Sequence, residues 1–350
     1  MKLSDFDFAL PQSAIAKYPK NPRGSSKLLH LNHQSKIQDY NFQQITSLFQ
    51  KGDALVLNNT KVIPAYLEGI IAKHCGDKKE VIVYLSKDLG DGKWLGFIKP
   101  GKLAKIGEEI VFQDQLLATL IDKDVNTGEV RFEFNINDAA LLTTICNIGK
   151  MPIPPYFKRK PELSDKVDYQ TIFAKYYGSV AAPTAGLHFN EEILQELKNK
   201  GVEITYVTLH VGTGTFLPVK TNNITEHKMH CEKFLISQGT ADLINQKKKE
   251  NRRIICVGTT SLRALEAAAN SKGILTPQIS ETDIFITPGY KFKVADALIT
   301  NFHMPKSTLF MLVCAFSGID SVKNAYAYAI KHNYRFFSYG DACWLDRLDA

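Results

Sequence analysis

Asp53-Ala54-Leu55-Val56-Leu57-Asn58-Asn59-Thr60-Lys61-Val62-Ile63-Pro64 is the stretch on which the reading of the fold turns. Ala54 to Leu57 are apolar without alternation, which fits a strand buried on both faces, as in a parallel sheet. Four polar residues, Asn58 to Lys61, follow at once. In open α/β sheets ligands bind just outside the carboxyl ends of such strands. After Pro64 the texture changes. From about Ala65 to Phe134 the chain reads as six short strands: Tyr66 to Ala72, Glu80 to Ser86, Lys93 to Lys99, Glu109 to Phe112, Leu116 to Ile121 and Glu129 to Phe134. Turn signals such as Gly90-Asp91-Gly92 and Asn126-Thr127-Gly128 separate them, a pattern that predicts a small antiparallel barrel or sandwich. Helical periodicity resumes at Asp138 to Ile145. The β-rich block therefore reads as an insertion in a larger α/β unit.

Outside the block the pattern is mixed. The first 30 residues predict a strand, a short helix starting near Pro11 and a second strand. The loop Pro19 to Lys27 carries Arg23 and Lys27 beside Ser25 and Ser26, a composition suited to a phosphate or carboxylate. Apolar spacing predicts helices at Phe42 to Phe49 and Tyr169 to Lys175. Met151 to Tyr156 reads as an extended linker, because it holds three prolines. Asn190 is placed to cap a helix from Glu191 to Lys200, with Gly201 ending it. Further helices are expected at Thr240 to Glu250, Leu309 to Ser317 and Asp320 to His332. Strands are expected at Val202 to Leu209, Arg252 to Val257 and Ala297 to Ile299.

The bulk numbers exclude several classes. With 350 residues, 44% hydrophobic and 23% charged, the chain has the composition of a globular protein with ample core. Its longest apolar run, Leu309 to Phe316, is too short to cross a bilayer. The start, Met1 to Asp5, lacks the apolar core of a signal peptide. Six cysteines without a Cys-x-x-Cys pair predict reduced thiols and a cytoplasmic location. The net charge of +7 is modest, but basic residues cluster at Lys78-Lys79, Lys158-Arg159-Lys160, Lys247 to Lys249 and Arg252-Arg253. A helix C-terminus accounts for Lys247 to Lys249; the remaining clusters suit a polyanionic partner.

Chemistry-bearing groups concentrate between Thr208 and Glu232. His210 stands at a strand end before Gly212-Thr213-Gly214-Thr215, and Glu226-His227-Lys228-Met229-His230-Cys231-Glu232 follows. Imidazoles and carboxylates around a flexible backbone suit proton transfer near neutrality. The third glycine of a dinucleotide fingerprint is missing, since Leu217 stands there. His227-x-x-His230 is half of a zinc motif without a second half, so no metal is expected. Small residues from Gly178 to Gly186 precede His188 and let a backbone or a flat ligand come close. Gly258-Thr259-Thr260 turns a strand into a helix and aims backbone N–H groups at an anion. The P-loop lysine is absent, which excludes a nucleoside triphosphatase of that type. Arg263 and Glu266 share a face of this helix and are spaced to pair. Thr300-Asn301-Phe302-His303 again places polar groups at a strand end.

Taken together, Ala182 to Phe189, Leu209 to Phe216, His227 to Glu232, Val257 to Thr260, Thr300 to His303 and Phe337-Ser338-Tyr339-Gly340-Asp341 resemble the S-adenosylmethionine:tRNA ribosyltransferase-isomerase family of queuosine biosynthesis. The likeness runs through essentially the whole chain, in order. Three places depart from the family pattern. Asn58-Asn59-Thr60-Lys61 replaces Asn-Asp-Thr-Arg, Tyr176-Tyr177 replaces an acidic residue and a proline, and Cys343-Trp344 replaces smaller or aliphatic residues.

The resemblance implies an α/β (α+β) main domain with a mixed sheet, residues 1–64 and 136–350, and an inserted six-stranded β-barrel, residues 65–135. It implies transfer and isomerisation of the ribosyl part of S-adenosylmethionine onto 7-aminomethyl-7-deazaguanine at the tRNA wobble position. Epoxyqueuosine-tRNA, adenine and methionine are the products. S-adenosylmethionine is then a co-substrate, and no recycled cofactor is expected. The sulfonium acidifies the adjacent C5′ proton, so a base is needed; adenine leaves better when protonated, so an acid is needed. The expected catalytic groups are His210, His227, His230 and His303, with Glu226, Glu232 and Asp341 orienting them or facing the cation. Gly212, Thr213, Gly214, Thr215, His188, Gly258, Thr259, Thr260, Arg263, Asn301 and Tyr339 are expected to hold substrate. Arg23, Lys158, Arg159, Lys160, Arg252 and Arg253 are expected to meet tRNA phosphates. A monomer without membrane attachment is expected. The competing readings are a metal-dependent hydrolase that uses the histidines as ligands, and an RNA-binding protein without chemistry.

Overall fold

The computed structural model describes residues 1–72, 78–103, 105–212 and 221–348. The chain begins with 3₁₀ turns at Leu3–Phe6 and Gln12–Ala14, then β1 (Lys27–Leu31) and β2 (Ile37–Asn41). A 3₁₀ helix at Phe42–Leu48 leads to β3 (Ala54–Asn58) and β4 (Thr60–Val62). The next six strands are β5 (Tyr66–Ala72), β6 (Lys78–Gly90), β7 (Lys93–Lys99), β8 (Glu109–Val111), β9 (Leu117–Lys123) and β10 (Val130–Phe134). Then come α1 (Asp138–Ile148), α2 (Asp165–Asp168), β11 (Tyr176–Ser179), α3 (Glu191–Asn199), β12 (Glu203–Leu209), β13 (Glu232–Ile236) and α4 (Gln238–Lys249). The chain ends with β14 (Ile254–Val257), α5 (Gly258–Ala268), β15 (Gln278–Thr282), β16 (Ala297–Asn301), α6 (Thr308–Ser317), α7 (Ile319–Lys331) and β17 (Ala342–Asp346).

The main sheet is mixed and nine-stranded, in the order β15-β13-β12-β3-β14-β16-β17-β1-β2. Its centre, β12, β3, β14 and β16, is parallel. Every residue of β3, β14 and β16 is buried, which is why these strands read as unbroken apolar runs. Side chains alternate across the sheet. Ala54, Val56, Cys256 and Leu298 join the core with residues of α4 to α7. Leu55, Leu57, Ile255, Ile299 and Trp344 join a second core with Phe42, Ile45 and the apolar stripe of α3. Helix α5 lies across β12, β3, β14 and β16, so its first turn is held at the carboxyl ends of the parallel strands.

The inserted strands close into a barrel in the order β10-β7-β6-β5-β8-β9, filled by Trp94, Ile110, Phe112, Phe132 and aliphatic neighbours. Chain entry and exit lie side by side. Tyr66 N donates to Lys150 O at 3.1 Å, and Lys150 N donates to Tyr66 O at 2.9 Å. Gly149 is required at this neck, because a Cβ there would sit 2.0 Å from the Pro64 carbonyl oxygen.

Three expectations need correction. The first residues form 3₁₀ turns, not a strand and a regular helix. Phe42–Leu48 is 3₁₀, and its apolar residues at 42, 45 and 48 recur every three positions, the period of that helix. Tyr169 to Lys175 is not helical: Lys175 N donates to Asn59 O at 2.8 Å and draws the segment into β11, which pairs with β4. The short helix α2 lies just before it. No helix among the described residues is long and apolar enough to cross a membrane.

Candidate active site

The four central parallel strands end together, at Leu209-His210, Asn58-Asn59, Val257-Gly258 and Asn301-Phe302. A cavity of about 530 Å³ opens there. Its walls come from the first turn of α5 (Gly258, Thr259, Thr260), the strand-end segment Thr300 to Thr308, the small-residue run Ala181 to Ala185 and two tyrosines, Tyr156 and Tyr169. Gly258 adopts φ +82°, a conformation that favours glycine, and so swings the backbone from strand directly into helix. Thr260 Oγ1 is buried without a hydrogen-bond partner, so a hydroxyl on the cavity wall keeps its bonding capacity.

His303 lines this cavity. Its Nε2 lies 3.1 Å from Thr300 Oγ1, and its backbone N donates to Tyr326 Oη at 3.0 Å. Burial pushes its pKa down to about 3, so the ring is neutral at physiological pH. His188 is buried between two hydrogen bonds. Asn301 Nδ2 donates to its Nε2 at 3.0 Å, which leaves Nδ1 to donate to Ser26 Oγ at 2.9 Å. Thr184 Oγ1 donates to Asn301 Oδ1 at 2.8 Å. Burial, helped by the Arg335 charge, pushes His188 to about 3. This chain of side chains joins the large cavity to a second one of about 400 Å³, lined by Arg23, Ser26, Asp168, His188 and Tyr339. Ser338 borders both cavities.

His210 is held at the end of β12; its neighbour Val211, and not His210 itself, lines the large cavity. Its Nδ1 lies 2.8 Å from Thr60 Oγ1, which itself donates to Ser179 Oγ at 2.8 Å. Ser179 Oγ also accepts from Val211 N at 2.7 Å. The backbone of Gly178 (φ +152°) lies on the imidazole: an added Cβ would be 2.6 Å from His210 Nδ1 and Cε1. Burial, then the Lys233 charge, lowers the His210 pKa.

The other predicted residues divide. Glu232 is buried at the start of β13, paired with Arg263 of α5, and accepts from Gly212 N at 3.3 Å. Arg263 Nη2 is buried and unpartnered. Arg263 therefore does not pair with Glu266, whose carboxylate accepts instead from the backbone N–H groups of Lys293, Val294 and Ala295 and from Tyr290 Oη. Thr213, Gly214 and Thr215 lie outside the described residues. Glu226 ends the 3₁₀ turn Ile224–Glu226 and is exposed, as is His230 in the segment after it. His227 packs edge-on against Phe285, with centroids 5.4 Å apart, and burial and neighbouring His230 lower its pKa. Asp341 does not face the cavity, because its carboxylate accepts from the backbone N–H groups of Lys27 (2.9 Å) and Arg335 (2.7 Å). Tyr339 stacks on Phe157 at 4.7 Å and donates to Asp165 Oδ1 at 3.2 Å.

The basic residues also divide. Lys158 and Lys160 are exposed. Arg159 is committed to a fork with Asp165, at 2.7 and 2.6 Å. Arg253 pairs with Asp53 at 2.6 Å. Arg252 and Arg253 precede β14, so they lie at the amino ends of the parallel strands, roughly 16 Å of strand away from Gly258 at about 3.3 Å per residue. Arg23 donates to Val167 O at 2.6 Å, keeps Nη1 buried and unpartnered, and lines the smaller cavity. Among the described residues no group of three or more His, Cys, Asp or Glu is placed to hold a metal ion.

A protein-family model described as a queuosine biosynthesis protein matches residues 3–345. The chain belongs to that family. It is 48% identical over 352 residues to an S-adenosylmethionine:tRNA ribosyltransferase-isomerase of Maricaulis maris, with 99% of each chain covered. It is 47% identical over 359 residues to the protein of that name from Brucella anthropi, covering 100% of this chain and 98% of the relative. Among solved structures it resembles an S-adenosylmethionine tRNA ribosyltransferase from Thermotoga maritima, at 33% identity and a TM-score of 0.55, over 97% of this chain and 99% of the other.

Within this member of the queuosine biosynthesis family, one wall residue and two residues behind the wall escaped the motif reading. Tyr156 lies in what read as a linker, yet its hydroxyl is 2.5 Å from Ser338 Oγ, and burial pushes its pKa up to about 12. Thr60 and Ser179 orient His210 from sites 150 and 31 positions away in sequence. The polar run after β3 was the available signal for Thr60; the small-residue run from Gly178 to Gly186 contains Ser179 without singling it out.

Proposed function

We propose that this chain transfers and isomerises the ribosyl moiety of S-adenosylmethionine onto 7-aminomethyl-7-deazaguanine at the wobble position of tRNA, giving epoxyqueuosine-tRNA, adenine and methionine. The observation that carries the site assignment is the 530 Å³ cavity at the carboxyl ends of four parallel strands, walled by the first turn of α5. S-adenosylmethionine is a consumed substrate. Its adenine meets the Gly258-Thr259-Thr260 turn, where backbone N–H groups and the open Thr260 hydroxyl donate to ring nitrogens. Donation there stabilises the leaving adenine as negative charge develops.

His210 acts as the base toward the proton next to the sulfonium. Its lowered pKa keeps the ring uncharged at neutral pH, so it repels the sulfonium less than an imidazolium would and is free to accept a proton. Thr60 holds Nδ1, which leaves Nε2 for substrate. His303 lines the cavity as a neutral ring held by Thr300 of its own strand end. His188 positions Asn301. Glu232, with Arg263, fixes the backbone at Gly212. His227, His230 and Glu226, in the segment before β13, are the further groups offered to the substrate. Exposed Lys158 and Lys160 and half-buried Arg23 meet tRNA. Residues 65–135 form an inserted module, with 1–64 and 136–350 as the catalytic unit. The protein works as a cytoplasmic monomer.

The test is to incubate the protein with S-adenosylmethionine and tRNA carrying the aminomethyl base, and to follow free adenine by chromatography. Adenine is expected in proportion to modified tRNA, and His210→Ala should slow its release by about 100-fold or more. Release of methyl-transfer products without adenine would overturn the reading.

A further inference from the structure

The strand β11, paired with β4 beside the strand ends that form the cavity, carries two adjacent exposed aromatic side chains, one on each face of the strand. Tyr176 is 46% exposed and Tyr177 37% exposed. Each ring has an ammonium over it: Lys175 Nζ is 5.1 Å from the Tyr176 centroid, and Lys61 Nζ is 4.5 Å from that of Tyr177. Tyrosines normally bury most of their ring, so two exposed neighbours on a four-residue strand ask for a partner. Neither ring is needed to hold the strand, which pairs with β4 through its backbone and anchors by Ser179.

The location ties them to the chemistry. Tyr176 is in register with Thr60, whose hydroxyl contacts His210, and Gly178, the next residue but one, supports the His210 ring. Tyr177 also borders a small cavity of about 190 Å³ between the barrel, α1 and β11, which includes Trp94, Asp88 and Asp138. The two carboxylates lie on that inner side, and the two ammonium groups lie over the rings.

We infer that Tyr176 with Lys175, and Tyr177 with Lys61, each make a stacking platform for an unpaired nucleotide of the tRNA anticodon loop beside the reacting base. Each ring takes a base of any kind on the face its lysine leaves open, and the lysines meet the phosphates that travel with the bases. A protein partner would be served by the apolar rings but not by two cations placed over them. The inference rests on the tRNA-modifying reading and adds the residues that seat the loop.

The experiment uses the full chain and a tRNA anticodon stem-loop, with affinity measured by fluorescence anisotropy at several salt concentrations. Tyr176→Leu and Tyr177→Leu keep bulk and remove the π face; each should weaken binding about tenfold. The Phe variants should bind like the parent. Lys61→Gln with Lys175→Gln should lower the slope of log affinity against log salt by about 1.4. S-adenosylmethionine affinity should stay unchanged in all of them. Parent-like RNA affinity in both Leu variants overturns the platform, as does a loss of affinity that the Phe variants share. If the parent chain itself fails to bind the stem-loop, the tRNA-modifying reading falls instead.

Discussion

His188 illustrates how a histidine can serve a site without exchanging protons in it. Both ring nitrogens are occupied, by Ser26 and Asn301, and the folded protein holds its pKa at about 3, against about 6.5 in an unfolded chain. Between those values the unfolded state binds a proton that the folded state refuses. Stability from this residue is therefore complete above about pH 6.5 and declines as pH falls toward 3. Urea unfolding from pH 7 to 4 should show that decline, and His188→Gln should flatten it. The same scale explains what sequence could tell about the site. The motifs put His210 and His303 at strand ends and Gly258 to Thr260 at a helix start, because each depends on near neighbours. They could not show that Arg263 meets Glu232 and not Glu266, since a three-residue spacing is visible in sequence and a 31-residue one is not. Nor could they show that Asp341 spends its carboxylate on two backbone N–H groups.

At the scale of elements, β11 and β12 act as one support. Gly178 places bare backbone on the His210 ring at φ +152°. Gly178→Ala would clash with the ring and strain a backbone conformation that other residues rarely adopt, at a cost of about 1–3 kcal/mol for the backbone alone. Loss of adenine-release activity should exceed the loss of stability. Comparing the catalytic rate with the denaturant midpoint of this variant separates the two. The strands were legible where one physical cue dominated: unbroken apolar runs for the central parallel strands, turn residues at short intervals for the barrel. Tyr169 to Lys175 misled because its apolar spacing is helical while its backbone bonds are taken by Asn59, more than 100 positions earlier.

At the scale of the molecule, charge clusters in the sequence do not tell which cations are free. Arg159 and Arg253 look like free cations in sequence, yet both are tied to buried aspartates. Arg252 and Arg253 stand at the end of the sheet away from the cavity. Arg252→Gln should therefore change anticodon stem-loop affinity less than about twofold, because a phosphate out of reach gives no counterion release. Anisotropy titration at moderate salt checks this, and a large loss would mean that tRNA wraps to the far edge.

The two tryptophans of the chain fall one in each part of the structure: Trp94 inside the barrel core, and Trp344 against the main sheet with Nε1 donating to Asp346. Intrinsic fluorescence thus carries two separately removable reporters. With Trp94→Phe the emission follows only the sheet, and with Trp344→Phe only the barrel. Denaturation followed in the two single-tryptophan proteins will reveal whether insertion and host melt as one cooperative block or in succession.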